Sequence, residues 1–281
     1  MSSKRIVINA RKKDSNILPI NIPQYDIKSS ETDEQIHNRI AERFEVLAEL
    51  TEAVVFGDAR ALIVSGPPGL GKTHTIEKIV SNNSVSFTHE TGFVRATGLY
   101  KLLYAHQTNG SVLIMDDADS IFGDVAALSL LKAACDTTEK RNICWRAETN
   151  MTDDNGVILP TSFEFNGSMI FISNQDFDAN IQNGTAFSEH MEAMISRAHY
   201  IDLSLKSRRD YLIRIKQVIY GDKMLYDVLE ESEINKVVGF IEDNLKNLRE
   251  VSLRMAIKIS SIMRAHPEKW ERICRVTCCR Y

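Results

Sequence analysis

A glycine-rich segment around residue 70 has the residue types and the spacing of a phosphate-binding loop. It matches the pattern Gly-x-x-x-x-Gly-Lys-Thr at every fixed position. Glycines let backbone N–H groups curl around a phosphate because no Cβ stands in the way. Lys72 can reach the β- and γ-phosphates of a nucleotide, and the Thr73 hydroxyl can bind Mg²⁺. We therefore predict a nucleotide site over nine consecutive residues: Gly66, Pro67, Pro68, Gly69, Leu70, Gly71, Lys72, Thr73 and His74.

Two adjacent carboxylates, Asp116 and Asp117, follow the apolar segment 112–115. In phosphoryl-transfer sites, a carboxylate at the end of a buried strand holds the metal ion, and another polar residue orients the attacking water. We assign the first task to Asp116, which would bind Mg²⁺ through water, and the second to Asp117. Aspartates also occur at strand ends as turn formers, so the pair alone is weak evidence for a metal site. Its position after a phosphate-binding loop makes the assignment specific. Magnesium-dependent hydrolysis of ATP or GTP follows, and the lack of a guanine-reading Asn-Lys-x-Asp motif favours ATP.

The elements that must position these residues are predicted from apolar spacing. Apolar segments of strand length lie at 61–64, 112–115, 169–172 and 199–203, with a weaker one at 85–88. Helical spacing is present at 31–56, 73–80, 99–106 and 125–135, and again at 206–220, 232–248 and 252–265. Thr32 and Gln35 can form a capping box at the start of the first helix. This order predicts an α/β fold in which helices cover both faces of a parallel sheet, followed by an all-helical region.

In residue type and order, these motifs resemble those of the AAA+ ATPases over about residues 31–265. Gly-Pro-Pro-Gly-Leu-Gly-Lys-Thr is closer to the AAA+ form of the P-loop than to that of kinases or GTPases. Residues 1–30 have mixed charge and little periodicity, which predicts an N-terminal arm. The resemblance implies an αβα nucleotide-binding domain at 31–204 and a small helical lid at 205–281. ATP and Mg²⁺ would bind between domain and lid, and subunits would assemble into a homo-oligomeric ring or open spiral.

The resemblance also implies three further site residues. Asn174, just after segment 169–172, would orient the attacking water, although an asparagine there can simply turn the chain. Arg197 follows Ser196 ahead of the last predicted strand, as in clamp loaders, and would act on a neighbouring subunit's nucleotide. An ordinary surface arginine or a partner for a carboxylate is the alternative. Arg254, at the start of a lid helix, would touch the γ-phosphate of its own subunit, with Arg249 as the competing candidate.

One position departs from the commonest family pattern. Most members carry glutamate after the metal-binding aspartate, whereas this chain has Asp117, whose side chain is one methylene shorter. Replication initiators and helicase loaders often share this feature and hydrolyse ATP slowly. Asp117 therefore leaves the rate of ATP hydrolysis undetermined. A second hypothesis is an ATP-gated assembly scaffold with little turnover.

Charge and composition limit the partners. The chain has 281 residues and a net charge of −4, so nucleic-acid contact is not indicated by charge and would have to be local. The resemblance to AAA+ ATPases implies that the client is a protein or nucleoprotein complex, with DNA replication or repair as one setting. No apolar run is long enough for a membrane span and the N-terminus has no secretory signal, so we expect a cytoplasmic protein. The five cysteines fit reduced thiols better than a disulfide framework or a metal site.

Three other segments could contact a client. Residues 141–167 predict a β-hairpin, and its tip carries Asp153 and Asp154 but no lysine or arginine, which favours a structural or protein-contacting role. Segment 98–101 resembles the aromatic pore loop of protein unfoldases, although Leu99 and Tyr100 fit a core helix better. A basic run could touch nucleic acid or form a solvated arm: Lys4, Arg5, Arg11, Lys12 and Lys13.

Overall fold

The computed structural model describes residues 30–83, 85–147, 151–153, 155–184 and 188–280. Five parallel strands form a central sheet, and two short antiparallel strands lie beside it. The strands are β1 (Ala61–Ser65), β2 (Ser86–Thr91), β3 (Ser111–Asp116), β4 (Asn142–Cys144), β5 (Ser162–Glu164), β6 (Ser168–Ser173) and β7 (His199–Asp202). The helices are α1 (Asp33–Phe56), α2 (Lys72–Asn82), α3 (Ala96–Ala105), α4 (Val125–Ala134), α5 (Phe177–Gln182), α6 (Ser188–Ile195), α7 (Arg208–Lys216), α8 (Glu231–Asp243), α9 (Leu253–Ala265) and α10 (Trp270–Cys278).

The sheet has the order β2-β3-β6-β1-β7, so its three inner strands are β3, β6 and β1. All residues of β1 and β6 are buried, because helices pack on both faces of the sheet. Leu62 belongs to the core that also contains α1, whereas Ile63 faces the core that contains α3 and α4. The predicted α/β fold with a parallel sheet and C-terminal helices is confirmed.

Helix α1 begins where the sequence predicts. The Thr32 side chain accepts from the backbone N–H of Gln35, and the Gln35 side chain accepts from the N–H of Thr32, which completes the capping box. The helix ends at Gly57, whose left-handed conformation (φ 82°) lets its N–H bond the carbonyl of Val54.

The sheet edge and several helix boundaries differ from the sequence prediction. Strand β2 continues to Thr91, beyond the predicted 85–88, because polar residues occupy an edge strand that is only half buried. Helix α3 starts at Ala96 rather than at residue 99, and the short helices α5 and α6 were not predicted. Leu99 and Tyr100 are fully buried, so 98–101 is part of the core helix and not an exposed loop.

The C-terminal region contains α7 to α10, with a π-helical turn (Gln217–Gly221) after α7. Helix α10 was not predicted, although its buried residues Trp270, Cys274 and Cys278 have four-residue spacing. Trp270 packs edge-on against Phe240 of α8, with ring centroids 5.4 Å apart. All five cysteines are free thiols, as expected. Within the described ranges, the helices are too short or too polar to cross a bilayer.

The predicted β-hairpin is present. Ile143 of β4 pairs with Phe163 of β5, and a further bridge joins Thr152 to Ile158. The hairpin packs on α3, because the Tyr100 hydroxyl donates to the carbonyl of Pro160 over 2.7 Å. Asp154 at its tip, Asn150 and the basic run within 1–29 lie outside the described residues.

Candidate functional site

The glycine-rich loop joins the carboxyl end of β1 to the N-terminus of α2. Gly66, Gly69 and Gly71 have φ angles of 143°, 76° and 92°, which side chains rarely allow. The Lys72 ammonium donates to the carbonyls of Gly66 and, at 3.0 Å, Pro67. Burial lowers the pKa of this ammonium to about 8, although the carboxylates of Asp116 and Asp117 raise it. The loop therefore holds a desolvated cation at the opening of a helix, where an anion binds well.

The two carboxylates at the end of β3 have different surroundings. Oδ2 of Asp116 accepts the Thr73 hydroxyl at 2.7 Å, so an alcohol and a carboxylate lie together beside the loop. Such hard oxygen ligands suit Mg²⁺, and the residues present therefore fit this ion. Asp117 has a left-handed backbone (φ 52°), and its N–H bonds the carbonyl of Ile172 in β6 over 3.1 Å.

Asn174 links the loop lysine to Asp117. Its Nδ2 donates to Oδ1 of Asp117 at 2.5 Å, and its Oδ1 accepts from the Lys72 ammonium at 3.0 Å. This arrangement is possible because β6 lies between β1 and β3, so the carboxyl ends of all three strands meet at one edge. The unusual backbone of Asp117 is thus held by two contacts from the carboxyl end of β6, as strained residues at functional sites often are.

A cleft of about 540 Å³ is lined by the glycine-rich loop on one side and by residues of the C-terminal region on the other. The start of α9 contacts the loop directly, because the Leu253 N–H donates to the carbonyl of Gly69 at 2.9 Å. A Cβ on Gly69 would lie 2.7 Å from Cβ of Ser252, so only glycine allows this approach. The predicted site residues that line the cleft are Pro68, Gly69, Leu70, Gly71, Lys72, Thr73, His74, Asp116, Asp117, Asn174 and Arg254.

Of the two competing lid arginines, Arg254 lines the cleft. The backbone N–H of Arg249 instead bonds the carbonyl of Cys278 at the end of α10. The positive charge of Arg254 is also close enough to contribute to the lowered pKa of Lys72. Of the two candidates, the geometry therefore places Arg254 at the cleft.

Arg197 is not brought to this cleft. Strands β1 and β7 are parallel, and Leu62 pairs with His199 while Ser65 pairs with Asp202. Arg197 therefore lies where the strands begin, and the loop lies where they end. With about 3.3 Å per strand residue, the strands alone separate the two ends by roughly 10 Å. The Arg197 guanidinium donates to the carbonyl of Ala193 at 2.7 Å.

Arg214 of α7 is a cleft residue that the sequence analysis missed. Its guanidinium carbon lies 3.4 Å from the ring centroid of Phe44, and Nε donates to the carbonyl of Leu70 at 3.2 Å. Burial lowers the pKa of this guanidinium to about 10, against a smaller raising effect of Asp222. The available signal was a lone arginine within the apolar run Tyr-Leu-Ile-Arg-Ile.

Asp119 was also missed. The Ser173 hydroxyl donates to its Oδ1 at 2.7 Å, and burial raises the pKa of this carboxyl. It lies close enough to Asp117 for the two charges to interact, so it is a third carboxyl group beside the predicted pair.

Comparison with known proteins agrees with this geometry. The model of the ATPase family associated with various cellular activities (AAA) matches residues 62–155, which span the loop and both carboxylates. Among solved structures, a mutant form of Thermotoga maritima RuvB is 16% identical and has a TM-score of 0.47, over 87% of this chain and 72% of that one. The Thermotoga maritima RuvB Holliday junction branch migration motor is 17% identical with a TM-score of 0.44, over 83% and 62%.

A match of higher sequence identity is found in a phage. An uncharacterized 36.7 kDa protein encoded in the nrdC-mobD intergenic region of Enterobacteria phage T4 is 33% identical over 248 residues. The match covers 86% of this chain and 75% of the phage protein. By its motifs, its fold and its match to the AAA family model, the chain belongs to the AAA+ family of P-loop ATPases.

Proposed function

We propose that this ATPase-family chain hydrolyses ATP with Mg²⁺ in the cleft between the glycine-rich loop and α9. The observation that carries the proposal is the Lys72–Asn174–Asp117 contact, next to the Thr73–Asp116 pair. Lys72 neutralises the β- and γ-phosphates, and Thr73 and Asp116 hold the cation. Asp117 and Asn174 orient the attacking water, and Arg254 contacts the γ-phosphate from the lid.

The cleft also offers apolar surface that suits the nucleotide base. Apolar side chains from the C-terminal region line it, as in sites that bury an aromatic ligand. These residues are Val218, Met224, Leu225, Leu253 and Ile257.

Self-association completes the proposed machinery. Arg197 lies at the sheet edge opposite to the loop, and the neighbouring carbonyl of Ala193 orients its side chain. We assign it to the nucleotide of an adjacent subunit in a homo-oligomeric ring or open spiral. There it stabilises charge that develops on the γ-phosphate.

The work done is remodelling of a protein or nucleoprotein complex, with DNA replication or repair as the expected setting. Hydrolysis moves the lid (205–281) against the αβα domain (31–204). The hydrogen bond from Leu253 to Gly69 supports this coupling, because it joins the loop to the lid with no residue between them.

Protein unfolding is a second candidate, favoured by one exposed aromatic residue. Phe93, in the loop between β2 and α3, is 71% exposed, and the guanidinium of Arg95 lies 5.5 Å from its ring centroid. Buried Leu99 and Tyr100 do not supply such a contact, so Phe93 is the residue to test. Loss of unfolding with retained ATP hydrolysis in Phe93→Ala would favour this candidate, and failure of the wild type to unfold a test protein would dismiss it.

A steady-state phosphate-release assay tests the main proposal against the scaffold hypothesis. Wild-type protein should release phosphate from ATP with Mg²⁺, and should not do so in excess EDTA. Tight ATP binding without measurable release at any protein concentration would instead identify an ATP-gated scaffold.

A further inference from the structure

A histidine outside the predicted site lies directly behind Asp116. His89 is in β2, next to β3, and its Nε2 is 3.5 Å from Oδ2 of Asp116. The His89 side chain is 18% exposed, and the Nε2 atom is shielded from solvent without a hydrogen-bond partner among the described residues. A buried polar atom in this state calls for an explanation.

Glu77 fixes the orientation of this ring. Its Oε1 lies 2.6 Å from Nδ1 of His89, so a carboxylate faces each ring nitrogen, Glu77 at Nδ1 and Asp116 at Nε2. Glu77 is four residues after Thr73 in α2, so both side chains lie on one face of that helix. Thr73 and His89 therefore approach the same carboxylate oxygen from two elements, since Oδ2 also accepts the Thr73 hydroxyl at 2.7 Å.

These contacts form a closed circuit from α2 through Thr73, Asp116, His89 and Glu77 back to α2. Oδ2 accepts the Thr73 hydroxyl and lies in contact with the His89 ring, so both groups restrict rotation of the carboxylate. From this geometry we infer that His89 is a positioning residue, oriented by Glu77, that sets the Asp116 carboxylate for a divalent cation. The inference rests on the proposed function, because Asp116 is the cation ligand of that proposal.

Cation affinity is the property that separates this role from simple packing. A group that orients a metal ligand typically contributes about ten- to a hundredfold to affinity for the ion. Mn²⁺ is the probe, added to protein in slight excess over ADP, and the bound fraction is read from the free-ion electron paramagnetic resonance signal. His89→Ala should weaken Mn²⁺ binding by about ten- to a hundredfold, while ADP affinity in EDTA changes less than about twofold.

Two conservative variants test the geometry. Gln places a side-chain nitrogen near the position of Nε2, whereas Asn reaches only about as far as Nδ1. His89→Gln should therefore retain much of the Mn²⁺ affinity, and His89→Asn should behave like His89→Ala. Glu77→Gln should give a smaller loss, because the ring keeps its place but has a weaker partner.

His106 supplies the matched control. It is a buried histidine on the opposite face of the sheet, and its Nε2 lies 2.7 Å from the hydroxyl of Thr88, the residue before His89. His106→Gln should leave Mn²⁺ affinity unchanged. An equal loss in that variant, or a His89→Ala affinity within twofold of wild type, would overturn the positioning role. If His89→Ala does not fold, His89→Asn and Glu77→Gln give the same comparison.

A further variant separates the two proposals. Asp116→Ala should abolish specific Mn²⁺ binding. If it binds Mn²⁺ like the wild type, the cation site itself is assigned wrongly and the proposed function fails at that residue. If Asp116→Ala loses binding while His89→Ala keeps it, only the role of His89 is wrong.

Discussion

The side-chain amide of Asn174 donates a hydrogen bond to Oδ1 of Asp117, with 2.5 Å between the two atoms. The bond connects the residue after β6 to the residue after β3, and it holds Asp117 in a backbone conformation that non-glycine residues rarely adopt.

Asp117→Asn should bind ATP with Mg²⁺ almost normally and lose about 10²-fold or more in turnover, because a positioned base is removed. Calorimetry gives the affinity and phosphate release gives the rate. Asn174→Ala should also lower turnover, since Asp117 then loses its side-chain partner. Turnover at the wild-type rate in Asp117→Asn would mean that another carboxylate holds the water, and neighbouring Asp119 would be the next to change.

Lys72→Ala should abolish ATP binding. Lys72 is the cation of the glycine-rich loop, and it lies at the centre of bonds to Gly66, Pro67 and Asn174. Calorimetric titration measures the effect, and circular dichroism checks that the fold is intact. Unchanged affinity in a folded variant would show that the nucleotide binds elsewhere.

Gly69→Ala should weaken ATP binding by tenfold or more, because the new methyl group pushes Ser252 and the start of α9 off the loop. Alanine at a positive φ also strains the backbone, and Gly110 shows that effect without the clash. Gly110 has nearly the same φ (77° against 76°), and a Cβ there meets nothing within 4 Å. Gly110→Ala should therefore cost only the strain, about 1–2 kcal/mol of stability, with unchanged ATP affinity. Equal ATP affinities in the two variants would show that the Gly69–Ser252 contact does not matter for binding.

Arg197→Ala should bind ATP, since the residues that line the cleft remain, yet hydrolyse it poorly. Specific activity of the wild type should rise with protein concentration as subunits meet. Mixed with an excess of Asp117→Asn subunits, Arg197→Ala should regain some activity, because its intact site then receives the arginine of the other variant. A rate per subunit that stays flat down to concentrations where only monomer is detected would rule out the trans role.

His106 predicts how stability depends on pH. Burial lowers the pKa of its imidazole, which lies 2.8 Å from the Ser111 hydroxyl and 2.7 Å from that of Thr88. Below the ordinary histidine pKa of about 6.5, the unfolded chain therefore takes up a proton that the folded chain resists. Stability is retained above that pH and is lost as the pH falls through it.

Chemical denaturation at several pH values between 7.5 and 5 measures this effect. His106→Gln removes the titrating group, so the variant should lose less stability than the wild type over that interval. Identical pH dependence in both proteins would place the acid sensitivity in other groups.

The sequence predicts the central strands, and the residues at their ends, better than any other part of the structure. Segments such as 61–64 and 169–172 are apolar throughout because they are buried on both faces, and Asn174 could be found as the polar residue that ends one of them. Edge strand β2 was predicted too short because its polar residues are only half buried, and His89 within it had no recognisable signal.

Arg214 could not be assigned for a different reason. Its partner Phe44 lies far away in the chain, in α1, and no local pattern pairs the two. A lone arginine in an apolar helix predicts burial with some partner but does not identify it. Contacts between the C-terminal helices and the rest of the molecule therefore required the structure.

The single direction of the five strands has a consequence for assembly. It gives the molecule two chemically different ends, with the phosphate loop at one and Arg197 at the other. In the proposed ring or spiral, donation of Arg197 to a neighbour's loop is a head-to-tail contact, because each copy offers one end to the copy before it and the other end to the copy after it. In a closed ring every copy both gives and receives an arginine. In an open spiral the copy at one end receives none, so one bound nucleotide per spiral would remain uncleaved and mark that terminus as different from all other positions.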